Sequence, residues 1–392
     1  MTNFFTEFDA ERWHFTYVDE NDHDLPVQQV GIVAAFQLLD AYHPFRRKGI
    51  AEAFSLYNEL YPGKLNGGYR GGKPMVVRPL SKMGLDEYHD YIANADPMDA
   101  VELKCMSRLS FEHASDYAFS VFSPEGWFEK IHKRFTTVRI YLPVEALVGE
   151  GKKRFESLLL KYCTLLRPIH GAAGLGIQDC HSWEDYQHLG YETAWAYRGV
   201  DVCPPTAEKN WRAGYSNLNW YTFLAHHWIA SLGTPEELQA KLEDSRIVQI
   251  PYEWGTVIRA GDWPALGKAQ VDPQPELYVK VNNAIRSLRV ADIGSLHYGS
   301  IGGEVRFNPL TSNLWLRRFD TPEEVREVID EAGKVNAKER HFLRVLSGMP
   351  CPWPGIWICE EDSSPGRQTF KHNVILPEVN GQRVTWRMVK FF

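Results

Sequence analysis

The run KKRFESLLLKYCTLLRP, residues 152–168, leads directly into IHGAAGLGIQDC, and this junction most constrains what the chain can be. Phe155, Leu158, Leu159, Tyr162, Leu165 and Leu166 recur at helical spacing and Pro168 stops the run, so a helix is expected over 154–167. Gly171, Gly174 and Gly176 follow as G-x-x-G-x-G. A dinucleotide loop instead follows a strand and opens a helix, because its glycines place N–H groups at a helix N-terminus. These glycines are therefore read as structural, a tight exit from the helix where a side chain would collide or φ must be positive. His170 has no nucleophile beside it in sequence. Asp179, Cys180 and His181 are adjacent, so their side chains do not all converge on one strand face.

Other chemical motifs fail on spacing. GGYRGGK (67–73) lacks the Walker A spacing and its Ser/Thr, and reads as a loop exposing Arg70 and Lys73. DENDHD (19–24) lacks the glycine and final glutamate of a calcium loop. His226 and His227 are neighbours rather than an i, i+4 pair, and no G-x-S-x-G elbow occurs. No catalytic residue, cofactor or metal is expected. CPWPGIWICEE (351–361) reads as a rigid aromatic segment, with Trp353 and Trp357 in the core rather than at an interface.

The remaining pattern mixes helices and strands. Helices are expected over 26–44, 46–63, 217–232, 235–242 and 275–290, and in two late segments, 321–335 and 336–348. Thr234 with Glu237 forms a capping box. Strands are expected in 102–112, 117–123, 133–142, 191–197 and 247–260, and in the tail. GKLNGGYRGGKP (63–74) reads as a loop or boundary. The expected fold is α/β in the mixed α+β sense. An acidic, mainly helical N-terminal part (1–95) packs on a sheet-and-helix body (96–320), with C-terminal helices and a short strand (321–392). The helices at 154–167 and 217–232 should pack on the sheet, with Trp220 at least half buried.

The chain of 392 residues carries a formal charge of -7. Glu7, Asp9, Glu11, Asp19, Glu20, Asp22 and Asp24 against Arg12 alone concentrate that charge in residues 1–30. An acidic edge disfavours nucleic acid as a direct partner and suits a basic protein. Six sparse cysteines show no zinc-like pairing, and neither a Sec signal nor a membrane span is visible, so a reduced, cytoplasmic protein is expected.

Four segments in order resemble the type VI secretion immunity family, over roughly residues 95–320. The first contains Arg167, Pro168, His170, Gly171, Gly174, Leu175 and Gly176. The second is YRGVDVC (197–203), with Arg198 where proline is common. The third is NLNWYTFLAHHWIASLG (217–233), through Asn219, Trp220, Thr222 and Leu224. The fourth is similar to a Gly-x-Pro-x-Leu-Gly-Asp hairpin, through Gly261, Pro264, Leu266 and Gly267, with Lys268 where aspartate is usual.

The resemblance implies a cytoplasmic, non-enzymatic immunity protein, monomer or homodimer, that binds and occludes a cognate toxin effector. A nuclease is one candidate toxin. The expected contact uses Asp19, Glu20, Asp22 and Asp24 for steering and Tyr69, Trp254 and Trp263 as anchors. A metal-dependent or thiol hydrolase is the competing reading, and a structural or adaptor protein a further one.

Overall fold

The computed structural model describes residues 4–19, 22–71, 77–202, 209–297, 304–321, 325, 343–352 and 354–391. In chain order the first half runs α1 (Phe4–Glu11), β1 (Tyr17–Asp19), β2 (Asp22–Leu38), α2 (Pro44–Leu60), β3 (Gly67–Arg70) and β4 (Arg78–Pro79). Then come α3 (Lys82–Ala93), β5 (Val101–Met106), β6 (Ala118–Ser123), α4 (Gly126–His132) and β7 (Thr136–Leu142). The middle holds α5 (Gly151–Leu166), β8 (His170–Asp179), α6 (Gln187–Ala196), β9 (Tyr221–Ala225) and α7 (His226–Leu232). It continues with α8 (Pro235–Leu242), β10 (Ile247–Tyr252), β11 (Gly255–Ala260), α9 (Glu276–Ile285) and α10 (Pro309–Leu316). The last strands are β12 (Arg344–Leu346), β13 (Gly355–Cys359), β14 (Arg367–Phe370) and β15 (Thr385–Phe391).

The fold is mixed α+β. An eleven-stranded antiparallel sheet runs β10-β11-β9-β8-β2-β7-β6-β5-β3-β4, with β1 beside β2. It draws strands from both sides of residue 95. A four-stranded sheet, β12-β15-β13-β14, carries the C-terminal region around buried Trp357 and Trp386.

The expected helix over 26–44 is instead β2, the central strand between β7 and β8. Ile32, Ala34 and Phe36 face one layer of core, while Val33 and Ala35 are buried in the other. A strand buried on both faces shows no alternation and reads as a continuous apolar run. The expected helix over 217–232 splits into β9 and α7, the chain bending at Ala225. Residues 191–197 are not a strand; α6 buries Gln187, Gly190, Tyr191 and Ala194, an i, i+3, i+4, i+7 set. GGYR, expected in a loop, is β3, and Arg344–Leu346, expected in a late helix, is β12. The rest of that late pair falls mostly on residues outside those described, as do Lys73 and Trp353.

The helix at 154–167 is α5. Its buried stripe of Phe155, Leu158, Leu159, Tyr162 and Leu166 packs against the sheet with α2, and the Tyr162 hydroxyl donates to the Ala53 carbonyl at 2.6 Å. The Thr234 capping box forms as expected.

The glycines are not the exit itself. Arg167 makes that turn in the left-handed region (φ 47°), and Gly171, Gly174 and Gly176 lie within β8. Close approach, not conformation, demands glycine there. A Cβ on Gly174 would stand 2.1 Å from Asn219 Oδ1, and one on Gly171 2.3 Å from the Ala35 carbonyl oxygen.

Candidate interaction surfaces

The two ends of the main sheet differ in chemistry. Where β2 begins, α1 folds back and inserts Phe4 and Phe8 into the core. Phe4 stacks on Trp263 at 5.8 Å, and Trp263 lies 6.4 Å from Trp220. Trp220 is fully buried and its indole N–H donates to the Gly261 carbonyl at 3.0 Å. Gly261 (φ 91°) and Gly267 (φ 63°) need glycine for their backbone, and Pro264 is buried between them.

Several carboxylates at this end are engaged. Glu11 accepts from Lys268 Nζ at 2.6 Å and from the Tyr197 hydroxyl at 2.7 Å. Burial raises the Glu11 pKa, but Lys268 and Tyr197 together leave it below the usual value. The lysine that departs from the family pattern thus ties α1 to the body. Arg12 bridges Asp9 and Glu145. Asp19 Oδ2 accepts from the Tyr186 hydroxyl at 3.0 Å. Trp13 is exposed here, stacked on His14. Glu20 lies outside the described residues, and Asp22 and Asp24 are placed in β2 by backbone alone.

The three candidate aromatics do not meet. Tyr69 is 7% exposed, packed edge-on against Phe111 and His181. Trp263 is half-buried beyond the last residue of β11, while half-buried Trp254 sits in the β10–β11 turn before its first. Six strand residues, about 20 Å, separate them.

Where β2 ends, aromatic rings and cations share the surface. The Arg167 guanidinium lies 4.0 Å over the Trp254 ring and 5.8 Å from Phe45, which is 58% exposed. Phe45 stacks on His43, His43 lies tilted against Tyr42 at 4.4 Å, and Lys130 of α4 sits 5.1 Å over the Tyr42 ring. Beside Lys130, α4 presents Trp127 (44% exposed) and Ile131 (68%) one turn apart. The Gly126 amide bonds the Pro97 carbonyl, which brings Met98 (63% exposed) alongside.

Arg46, Arg167 and Lys130 form no salt bridge with a described residue, whereas Arg212 pairs with Glu129 of α4 at 3.1 Å. Arg46 donates to the carbonyls of Leu166 (2.8 Å) and Leu39 (3.0 Å), closing the C-terminus of α5 where positive charge is favoured. Burial first, and then neighbouring Arg167, push its pKa down. Asp40 and Glu129 act on Arg46 in the opposite sense, favouring its charge without a salt bridge. Sequence reasoning picked Trp254 but missed the rest of this surface. The available signal was the Trp127–Ile131 spacing in a short helix and an arginine at the α5 exit.

His170 offers no chemistry. It is buried, its Nε2–H donates to the Trp211 carbonyl at 3.0 Å, and burial pushes its pKa down to about 4. The described cysteines, Cys105, Cys163, Cys180, Cys351 and Cys359, are buried and form no disulfide with one another. Among the described residues no group of three or more His, Cys, Asp and Glu is arranged to hold a metal, and no helix is long and apolar enough to cross a membrane.

The fold resembles the Pseudomonas aeruginosa T6SS protein PA0821, with a TM-score of 0.67 at 22% identity, covering 83% of this chain and 94% of that one. No curated protein matches the sequence. The sequence does match the TsiV family, described as type VI immunity for VRR-NUC, over residues 49–319. That span includes all four motif segments and most of the main sheet, and on it the chain belongs to the TsiV family of type VI immunity proteins.

Proposed function

We propose that this chain is a cytosolic immunity protein that binds a VRR-NUC toxin and neutralises it by occlusion, turning over no substrate of its own. The family match over residues 49–319 carries this reading. An inhibitor of this kind needs a persistent contact rather than a reactive group. Standard protein interfaces bury about 1,600 Å² in total, with most of the energy in a few Trp, Tyr and Arg anchors.

The acidic N-terminal stretch, Asp19, Glu20, Asp22 and Asp24, would steer association with the basic surface a nuclease uses to hold DNA. Of the aromatic anchors, Trp254 offers the ring beside an exposed arginine. Trp263 contributes from a half-buried position, and Tyr69 supports from beneath through Phe111 and His181. The hydrolase alternative would need a base such as His170, whose ring is buried and bonded to backbone.

Co-expression tests the proposal. A VRR-NUC toxin encoded by the neighbouring gene should arrest cells alone, spare them with this chain, and co-purify with it. Equal arrest with and without abundant chain would overturn the reading.

A further inference from the structure

At the end of α5 the backbone requires a left-handed residue, the position where helices favour glycine. Arginine occupies it at a backbone cost. Its guanidinium lies 4.0 Å over the Trp254 ring and 5.8 Å from Phe45, and the side chain is exposed with no hydrogen bond to any described residue. A planar fork of five donors, pre-oriented on an aromatic ring, matches a carboxylate.

Around it ring contacts run from Phe45 through His43 to Tyr42 and Lys130, with exposed Trp127 and Ile131 on the same helix as Lys130 and Met98 nearby. Exposed apolar groups gathered in one place mark an interaction site, whereas scattered ones do not. Arg167 and Lys130 stand there with no salt bridge to a described residue, so an incoming surface is favoured if it brings acids.

We propose that this shelf, Arg167 on Trp254 and Phe45 continued by Trp127 and Ile131, is the seat of the toxin and takes a carboxylate-bearing apolar segment of it, Arg167 receiving the carboxylate. The proposal rests on the immunity reading and locates its contact. Aliphatic Ile131 and Met98 suit a protein better than nucleic acid, which binds through phosphate neutralisation and base stacking. A second copy of the chain fits less well, because the described carboxylates Glu11, Asp9 and Asp19 at its acidic end are already bonded.

The test uses the full chain and a catalytically inactive form of the product of the neighbouring effector gene, with binding followed by calorimetry. Arg167→Gly relieves the backbone while removing the fork, so its melting temperature should hold or rise while binding weakens at least tenfold. A purely structural arginine would not split the two readouts in that way. Ile131→Asp, on an exposed face, should leave the melt unchanged and also weaken binding at least tenfold. If wild type binds and both variants bind within twofold of it, the seat is wrong while the immunity reading stands. If wild type binds nothing, the immunity reading itself fails. Capture of a single-stranded oligonucleotide on this shelf, or a dimer abolished by Ile131→Asp, would overturn the toxin as its occupant.

Discussion

The two ends of the main sheet hold opposite charge in opposite states. At the acidic end Glu11 is engaged with Lys268 and Tyr197, Asp9 and Glu145 with Arg12, and Asp19 with Tyr186, while Glu7 is exposed. At the other end Arg167 and Lys130 lie over aromatic rings with no salt bridge to a described residue. Net charge directs attention to the first end, while unmet bonding capacity directs it to the second. Long-range charge governs encounter, but hot-spot contacts govern how long a complex lasts. The acidic end is accordingly assigned to steering and the aromatic end to holding.

This division assumes a rigid sheet between the ends, and β8 is where that rigidity is most exposed to damage. Gly174→Val forces a side chain into Asn219, whose amide donates to the Leu175 carbonyl at 2.8 Å. Overpacking and a broken buried bond together should destabilise by about 3 kcal/mol or more. His170→Ala removes one ring and one bond and should cost less, about 2 kcal/mol. Urea unfolding of both variants checks the order, and an unchanged midpoint for Gly174→Val would break the account of β8.

Acid should weaken the whole scaffold. His170 and His372 are pushed down to about 4 and His297 to about 3, in each case by burial first. The folded state then binds fewer protons than the unfolded chain below its ordinary histidine pKa of about 6.5. This contribution is fully present above that value and is lost as pH falls towards 4. Melting temperature should drop by about 5 °C or more between pH 7 and pH 5. A flat profile would mean that these rings are not held neutral.

Smaller changes separate the ends. Glu11→Gln weakens the tether of α1 and should cost about 1 kcal/mol while leaving toxin affinity unchanged. Neutralising Asp19, Glu20, Asp22 and Asp24 together should slow association severalfold at low salt and flatten its salt dependence, with the dissociation rate nearly unaltered. An unchanged association rate and salt slope would reduce the acidic run to a solvated surface.

Sequence pattern located elements whose burial is one-sided. The α5 stripe is of this kind and lies where the pattern puts it, as do the Thr234 capping box and the β10–β11 hairpin. Where both faces are covered the pattern found β7 and β11 but misassigned β2, β9 and α6. A strand buried on two sides loses its period, and a helix buried nearly all round acquires a spurious alternation. The glycines of β8 were legible as structural but not as the floor under Asn219, because that close approach is set by a segment some forty residues away. The aromatic end is assembled from the α5 exit, the β10–β11 turn, the start of α2 and the α4 face. Only three-dimensional placement joins Arg167 to Trp254.

The central claim is that a bound toxin is a silent toxin. Titrating this chain into a fixed amount of active VRR-NUC toxin cleaving duplex DNA tests it directly. Cleavage should fall linearly and vanish at a fixed stoichiometric ratio, while the chain alone leaves the DNA intact. Undiminished cleavage with the toxin saturated by bound chain would contradict the account.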